Sequence, residues 1–217
     1  MKNDISRSGR PAPGERAARA TERRLESQRR TAAEEVDRIL AITLGLIERS
    51  APAMPSVSEI VAAAGISNQT LYRTFGSKDE LILAVLERGV LRVADTTRAR
   101  MAEAADPREQ VLVWVRAVLH QVSVVDAAET SRSVLGYLHQ AGTVEGANQA
   151  ELLAPISALL LEPVGALGGD EVDAVCISDL VLGAMRRHLW TKTVPTRAEI
   201  DRVATFVLRG LGVEDAR

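Results

Sequence analysis

Residues 56–83 read SVSEIVAAAGISNQTLYRTFGSKDELIL, and this stretch decides the fold of the chain. Ser56 and Glu59 stand three residues apart ahead of an apolar run, the spacing at which a serine hydroxyl and a glutamate carboxylate cap a helix reciprocally. Gly65 ends that helix, because a sharp turn needs a residue that tolerates positive φ. Ser67 caps a second, short helix. Two helices joined by a short turn containing glycine indicate a helix-turn-helix, whose second helix enters the DNA major groove.

Helix signals continue on both sides of this motif. Upstream, Thr31 and Glu34 repeat the capping-box spacing and predict a first packed helix that ends near Arg49. Downstream, Ser77 and Glu80 predict a third capping box, which opens a long helix over residues 78–101. That helix is long enough to couple a DNA-binding head to a body.

The remaining sequence also predicts helices and no sheet. Residues 111–125 are apolar on almost every face, which is typical of a central, buried helix. Prolines interrupt the helical pattern over residues 144–167, and Asp170 starts a long helix that is followed by a last one after Pro195. No run alternates with period two for long. The fold class is therefore all-α, with about nine or ten helices and an N-terminal three-helix helix-turn-helix head.

The chain divides into three regions by these signals. Residues 1–30 are expected to form a flexible basic N-terminal arm. Breakers dominate residues 1–14, and residues 15–30 favour a helix but are polar on nearly every face, so a helix there should be marginal without a partner such as DNA. Residues 31–78 form the predicted helix-turn-helix DNA-binding domain. Residues 79–217 form a larger helical domain, predicted to bind an effector and to dimerise through the last two helices, whose apolar stripes are clean. Such a stripe is equally what an internal packing face shows.

The charge distribution is uneven. Residues 1–31 carry nine basic and four acidic side chains, a net charge of +5, whereas residues 79–217 carry −6. A basic front suits a protein that presents one end to a polyanion, although a solvated tail would show the same arginines. The N-terminus resembles no signal peptide, one cysteine cannot form an internal disulfide, and no apolar run spans a bilayer. We expect a cytoplasmic protein without a membrane segment.

Three short runs resemble a known family. They are IVAAAGIS at residues 60–67, TLYRTF at 70–75 and SKDEL at 77–81, and they resemble the DNA-binding head of TetR/AcrR-type transcriptional regulators. The resemblance covers residues 34–85, and the ending FVLRGLG at 206–212 is similar to the usual last helix of the family. It implies an all-α homodimer with a small head and a larger effector-binding body.

Candidate DNA contacts follow from side-chain chemistry. Gln69 can pair with adenine early on the recognition helix, and Arg73 can reach guanine or a phosphate one turn later. The hydroxyls of Thr70 and Tyr72 suit phosphate oxygens, and Lys78 sits at a helix N-terminus that also favours an anion. The resemblance implies that these last three residues clamp the backbone, while position 69 reads bases. The predicted DNA-binding set is Ser58, Ser67, Asn68, Gln69, Thr70, Tyr72, Arg73 and Lys78, with Arg7 and Arg10 of the arm reaching the minor groove.

The predicted effector site surrounds the buried central helix. Apolar side chains with a few polar groups are how small-molecule sites are built, and this lining favours a hydrophobic or amphipathic effector. The predicted effector-binding residues are Met101, Trp114, Val118, His120, Gln121, Tyr137, Cys176 and Met185. Any one of them, Trp114 above all, could instead be core.

The sequence therefore predicts a ligand-responsive repressor, a homodimer that a small effector releases from a palindromic operator by moving the helix over residues 78–101. An effector-independent architectural regulator is the alternative, and a filled body would favour it. A helical enzyme is the remote alternative, because Ser123, Asp126 and Glu129 near His120 form no catalytic arrangement. The three histidines do not share a metal-ligand spacing, and no cofactor or metal is expected.

Overall fold

The computed structural model describes residues 15–143 and 147–213, and within those ranges it is built from helices without a strand. The all-α class predicted from the sequence is confirmed. The arginines predicted to enter the minor groove, Arg7 and Arg10, lie outside the described residues. The α-helices are α1 Glu15–Ser50, α2 Val57–Ala64, α3 Asn68–Phe75, α4 Lys78–Ala102, α5 Pro107–His120, α6 Val125–Gln140, α7 Ala147–Ser157, α8 Leu161–Ala166, α9 Glu171–Thr191 and α10 Arg197–Gly210, and a 3₁₀ turn, Ala158–Leu160, joins α7 to α8.

The described residues divide into two units, one that comprises residues 15–39 and one that comprises residues 40–143 and 147–213. In the first unit, the predicted helix start at Thr31 is wrong, because α1 already begins at Glu15. Thr31 lies inside the helix, where its hydroxyl donates to the Ser27 carbonyl at 3.0 Å instead of capping. Alanine, arginine and glutamate dominate the preceding residues and favour an uninterrupted helix. The side chains from residue 17 to residue 35 are exposed.

The helix-turn-helix lies in the second unit and forms as the sequence predicts. Ser56 accepts from the Glu59 amide at 3.3 Å, and the Ser56 amide donates to the Glu59 carboxylate at 2.7 Å, which completes the capping box. Gly65 has φ +64°, the left-handed conformation that ends α2. Ile60 and Leu71 are fully buried, so α2 and α3 each direct an apolar side chain inward.

The third predicted capping box, at Ser77, is only half formed. The Ser77 hydroxyl accepts from the Glu80 amide at 3.0 Å and caps α4. The Ser77 amide, however, donates to the Phe75 carbonyl at 2.8 Å, in the tight turn after α3. This amide is the donor that would bond to the Glu80 carboxylate in a complete capping box. The long helix over residues 78–101 is confirmed, since α4 ends at Ala102.

The core of the body surrounds α5. Fully buried Val111, Trp114, Val115 and Val118 pack with residues from α4, α7, α9 and α10. The apolar run does not continue as one helix to residue 125, because α5 ends at His120 and α6 starts at Val125, which is 61% exposed. Within the described ranges, no single helix is long and apolar enough to cross a membrane. Only together do α5 and α6, whose axes are bent by 75° relative to each other, reach that length and apolar composition.

Helix boundaries in the last third agree with the proline and capping signals. Pro155 lies inside α7, whose last turn leads into the 3₁₀ segment before α8, so the predicted interruption is confirmed. Asp170 accepts from the amides of Val172 and Asp173 and caps α9. Thr196 and Glu199 form the capping box of α10. These caps fix the starts of the two helices predicted to dimerise.

Candidate nucleic-acid interface and effector cavity

The recognition helix α3 separates its side chains into two faces. Leu71 is fully buried and Phe75 is 8% exposed, whereas Tyr72 is 48% exposed. The predicted base-reading Gln69 lies on the solvent side of the helix, together with Asn68 and Arg73. Because α3 carries Arg73 and no acidic residue, its outer face suits a polyanion.

Serine caps determine how the two helices of the motif begin. The Ser67 hydroxyl accepts from the Thr70 amide at 3.1 Å, and the two hydroxyl oxygens are 3.0 Å apart. Thr70 is half-buried, and both hydroxyls have protein partners. At the start of α2, Ser58 is exposed and its hydroxyl oxygen lies 2.9 Å from that of Ser56. Ser67 thus caps α3 and contacts Thr70, whereas Ser58 contacts Ser56, the residue that caps α2.

The same end of α2 carries a carboxylate whose pKa is shifted. Hydrogen bonds from the Ser56 side chain and backbone lower the pKa of Glu59, and the charge of Lys78 adds to this shift. Glu59 therefore stays ionised within its cap. The cap and the lysine predicted to bind phosphate lie close enough to interact electrostatically.

Lys78 opens α4 and lies against an aromatic ring from α6. Its Nζ is 4.8 Å from the centroid of the Tyr137 ring, and the Tyr137 hydroxyl donates to Asp79 Oδ1 at 2.5 Å. Burial, the hydrogen bond to Asp79 and the charge of Asp79 together raise the pKa of Tyr137 to about 12. Tyr137 was predicted to line an effector cavity, but the structure places it at the first turn of α4.

Four of the predicted effector residues lie together in the body. Met101, Trp114 and Val118 belong to the main core, and half-buried Met185 packs against it. Trp114 is fully buried, and its Nε1 donates to the Ile156 carbonyl at 2.8 Å. The only polar atom of this indole is therefore satisfied by α7, so Trp114 acts as a core residue in this state.

The other predicted effector residues are dispersed. His120 is exposed and lines a surface hollow of about 540 Å³ with Arg100, Arg116 and neighbouring residues. Gln121 donates to the Ala117 carbonyl at 3.1 Å, one turn back along α5. Cys176 is exposed and borders a groove between α9 and α10. The eight predicted residues do not form one site.

A groove that the sequence did not predict runs between α7 and α9. Its volume is about 440 Å³, and most of its lining is apolar or small. The hydroxyl oxygens of Ser157 and Ser178 lie 2.7 Å apart along it, and Asp179 and Arg186 supply charges. The sequence signal that could have indicated this groove is a set of small residues on both of its sides. They are Ala150, Ala154, Ser157 and Ala158 on one side and Ala174 and Ser178 on the other.

Comparison with known proteins identifies the head most clearly. The sequence model of the bacterial regulatory proteins of the tetR family matches residues 39–85, which include α2, α3 and the first turns of α4. The chain is also similar to the uncharacterised HTH-type transcriptional regulator Rv1255c of Mycobacterium tuberculosis, with 32% identity over 133 residues. That alignment covers 59% of this chain and 62% of the relative, so the chain matches less than two thirds of the relative's length.

Solved structures extend the similarity to the body. The fatty acid degradation regulator FadR from Bacillus halodurans superimposes with a TM-score of 0.58 at 19% identity, covering 80% of this chain and 94% of that protein. The TetR-family repressor QsdR of R. erythropolis gives a TM-score of 0.54 at 21% identity, covering 86% and 96%. At such low identity these matches establish the shared fold and nothing about ligands.

Proposed function

We propose that the chain is a cytoplasmic transcriptional regulator of the TetR family, a homodimeric repressor that binds a palindromic operator and is released by a small hydrophobic or amphipathic effector. The match of residues 39–85 to the tetR-family model and the similarity to Rv1255c support this proposal. One observation carries the proposal: α3 exposes Gln69, Tyr72 and Arg73 on one side and buries Leu71 and Phe75 on the other. A helix anchored in this way can enter the major groove without disturbing its own core.

The DNA contacts divide into base readers and backbone contacts. Gln69 reads a base edge, and Arg73 binds guanine or a phosphate, because both side chains leave the exposed face of α3. Thr70, Tyr72 and Lys78 hold phosphates, with Ser58, Ser67 and Asn68 at the edges of the contact. The hydrogen bonds already made by Ser58, Ser67 and Thr70 support backbone contact over base reading for those three residues.

Dimerisation through α9 and α10 is supported by large apolar side chains that this chain leaves exposed. Val172 is 67% exposed, Trp190 54% and Phe206 65%. Large apolar side chains exposed on both helices are what an interface with a second copy would cover. A twofold dimer presents two α3 helices to half-sites about one helical turn apart, roughly 34 Å, which explains why the operator is expected to be palindromic.

Two parts of the body can accept an apolar effector. The groove between α7 and α9 is already open, and the region around Met101, Trp114, Val118 and Met185 would open only if Trp114 moved. Occupancy of either part favours a different position of α4 and lowers operator affinity. The satisfied, fully buried indole of Trp114 is the observation that favours the second candidate function, an effector-independent regulator.

Selection of bound duplexes from fragmented genomic DNA tests the proposal. We expect enrichment of an inverted repeat, and a dimer on that repeat by light scattering at micromolar protein concentration. Saturated fatty acids and alkyl quaternary amines of graded chain length then serve as effector probes in the binding assay. Absence of any enriched sequence would refute the DNA-binding role, whereas unchanged operator affinity with every ligand shown to bind would favour the effector-independent regulator.

A further inference from the structure

Tyr137 joins the body to the first turn of α4. It lies on α6, 58 residues from Asp79 in the sequence, yet its hydroxyl reaches Asp79 Oδ1 and its ring lies against Lys78 Nζ. Two different parts of one side chain thus contact two consecutive residues. One of those residues is the lysine assigned above to a phosphate.

Lys78 is a poor phosphate ligand without support. An ammonium group at the first position of a helix opposes the positive end of the helix dipole, and its four-carbon stem has many rotamers. A ring face 4.8 Å away attracts the cation and limits those rotamers, and Lys78 is half-buried rather than extended into solvent. The ring therefore offsets the unfavourable dipole and reduces the entropy lost when the lysine binds.

The hydrogen bond to Asp79 fixes the ring. A tyrosine with a pKa of about 12 keeps its proton at any physiological pH, so its hydroxyl remains a donor to the carboxylate. The bond has a second consequence for DNA binding. It holds the Asp79 carboxylate, a negative charge next to the predicted phosphate contact, in one orientation toward α6.

We propose that Tyr137 is a positioning residue for DNA binding: through its ring and its hydroxyl it holds Lys78 and Asp79 in the arrangement that binds the operator backbone. The inference rests on the proposed function, in which Lys78 contacts a phosphate. It adds a route of regulation, because a displacement of α6 alone would release the lysine even where α4 stayed in place.

A double-mutant cycle on the selected operator duplex tests the inference. Lys78→Ala should weaken binding to all sequences and reduce the slope of log affinity against log salt by about 0.9 for each phosphate that the lysine no longer neutralises. Tyr137→Leu should weaken binding roughly two- to fivefold per half-site, since it removes the ring that orients the cation. Tyr137→Phe keeps the ring and should fall between Tyr137→Leu and the unmodified protein. The combined variant Lys78→Ala with Tyr137→Leu should bind no more weakly than Lys78→Ala alone.

Non-additivity distinguishes positioning from a structural role. If the two losses multiply in the combined variant, Tyr137 acts independently of the lysine and the inference is overturned. Leu135→Ala is the matched control, because half-buried Leu135 lies on the same helix and packs with Val122 and Leu189, and operator affinity should not change. A loss in that variant equal to the loss in Tyr137→Leu would assign the effect to a weakened α6. If Lys78→Ala leaves the salt slope unchanged, the proposed phosphate contact itself fails.

Discussion

Helices α3 and α5 were predicted to bind DNA and a small effector, respectively, and they differ in which of their side chains are buried. The short α3 buries Leu71 and Phe75 and exposes the polar side chains between them. The longer α5 buries most of its apolar side chains, and Trp114 and Val118 lie in the main core. Residue type separates the two faces of an amphipathic helix. In a helix that is apolar all round, the same residue types either fill a core or line a cavity.

Truncating one aromatic side chain on each helix should give the largest contrast. Trp114→Ala should lower the free energy of unfolding by about 3–5 kcal/mol, because it leaves a cavity in the core and removes the hydrogen bond to the Ile156 carbonyl. Tyr72→Ala, at a position that is 48% exposed, should change it by less than about 0.5 kcal/mol while weakening DNA binding. Urea unfolding of both variants measures this. Comparable losses in the free energy of unfolding for the two variants would contradict the assignment of Trp114 to the core and of Tyr72 to the exposed face.

The glutamines of the two regions provide the next comparison. Gln69→Ala should relax the preference at one base pair per half-site, at a cost of about 1–3 kcal/mol for the preferred sequence. Gln121→Ala, which removes only a hydrogen bond to the Ala117 carbonyl, should leave the base preference unaltered. Repeating the operator selection with both variants gives the readout. An identical enriched sequence from the Gln69 variant would contradict its role as a base reader.

Two capping patterns of the same spacing have different outcomes in the structure. Ser56 and Thr31 are each followed three residues later by glutamate, and only Ser56 caps. Ser56 follows Pro55, whereas Thr31 follows residues that favour a helix, so α1 continues through it. The capping pattern therefore marks a possible helix start, and the preceding residues decide whether the helix begins there.

Sequence patterns did not predict the long-range contacts. Tyr137 was predicted to line a cavity, but its contact with Lys78 and Asp79 joins residues distant in the sequence. The groove between α7 and α9 likewise depends on how two helices approach each other. The exposed face of α3 needed only local spacing, which is why those residues could be placed from the sequence.

Loss of the Ser67 cap should change the free energy of unfolding by less than loss of Gln69 changes the free energy of DNA binding. Ser67→Ala removes the acceptor for the Thr70 amide and should lower the free energy of unfolding by about 1 kcal/mol. Ser58→Ala is the matched control, since Ser58 is exposed and caps no helix, and it should change stability by less than about 0.5 kcal/mol. Thermal unfolding compares the two. Equal melting temperatures for both variants would show that α3 does not depend on its cap.

The smallest expected effect is a dependence of stability on alkaline pH through Tyr137. Its pKa is about 12 in the folded chain against a usual value of 10.0, so unfolded chains release this proton first as the pH rises. Fewer bound protons in the unfolded state mean that the free energy of unfolding falls with pH. The contribution is complete below pH 10 and disappears as the pH passes 12. Urea unfolding at about pH 9 and about pH 11 should show a smaller decline for Tyr137→Phe than for the unmodified protein, because other groups titrate in both chains alike. Equal declines would mean that the hydroxyl does not hold Asp79 in solution, and the α6 contact would then rest on the ring and Lys78 alone.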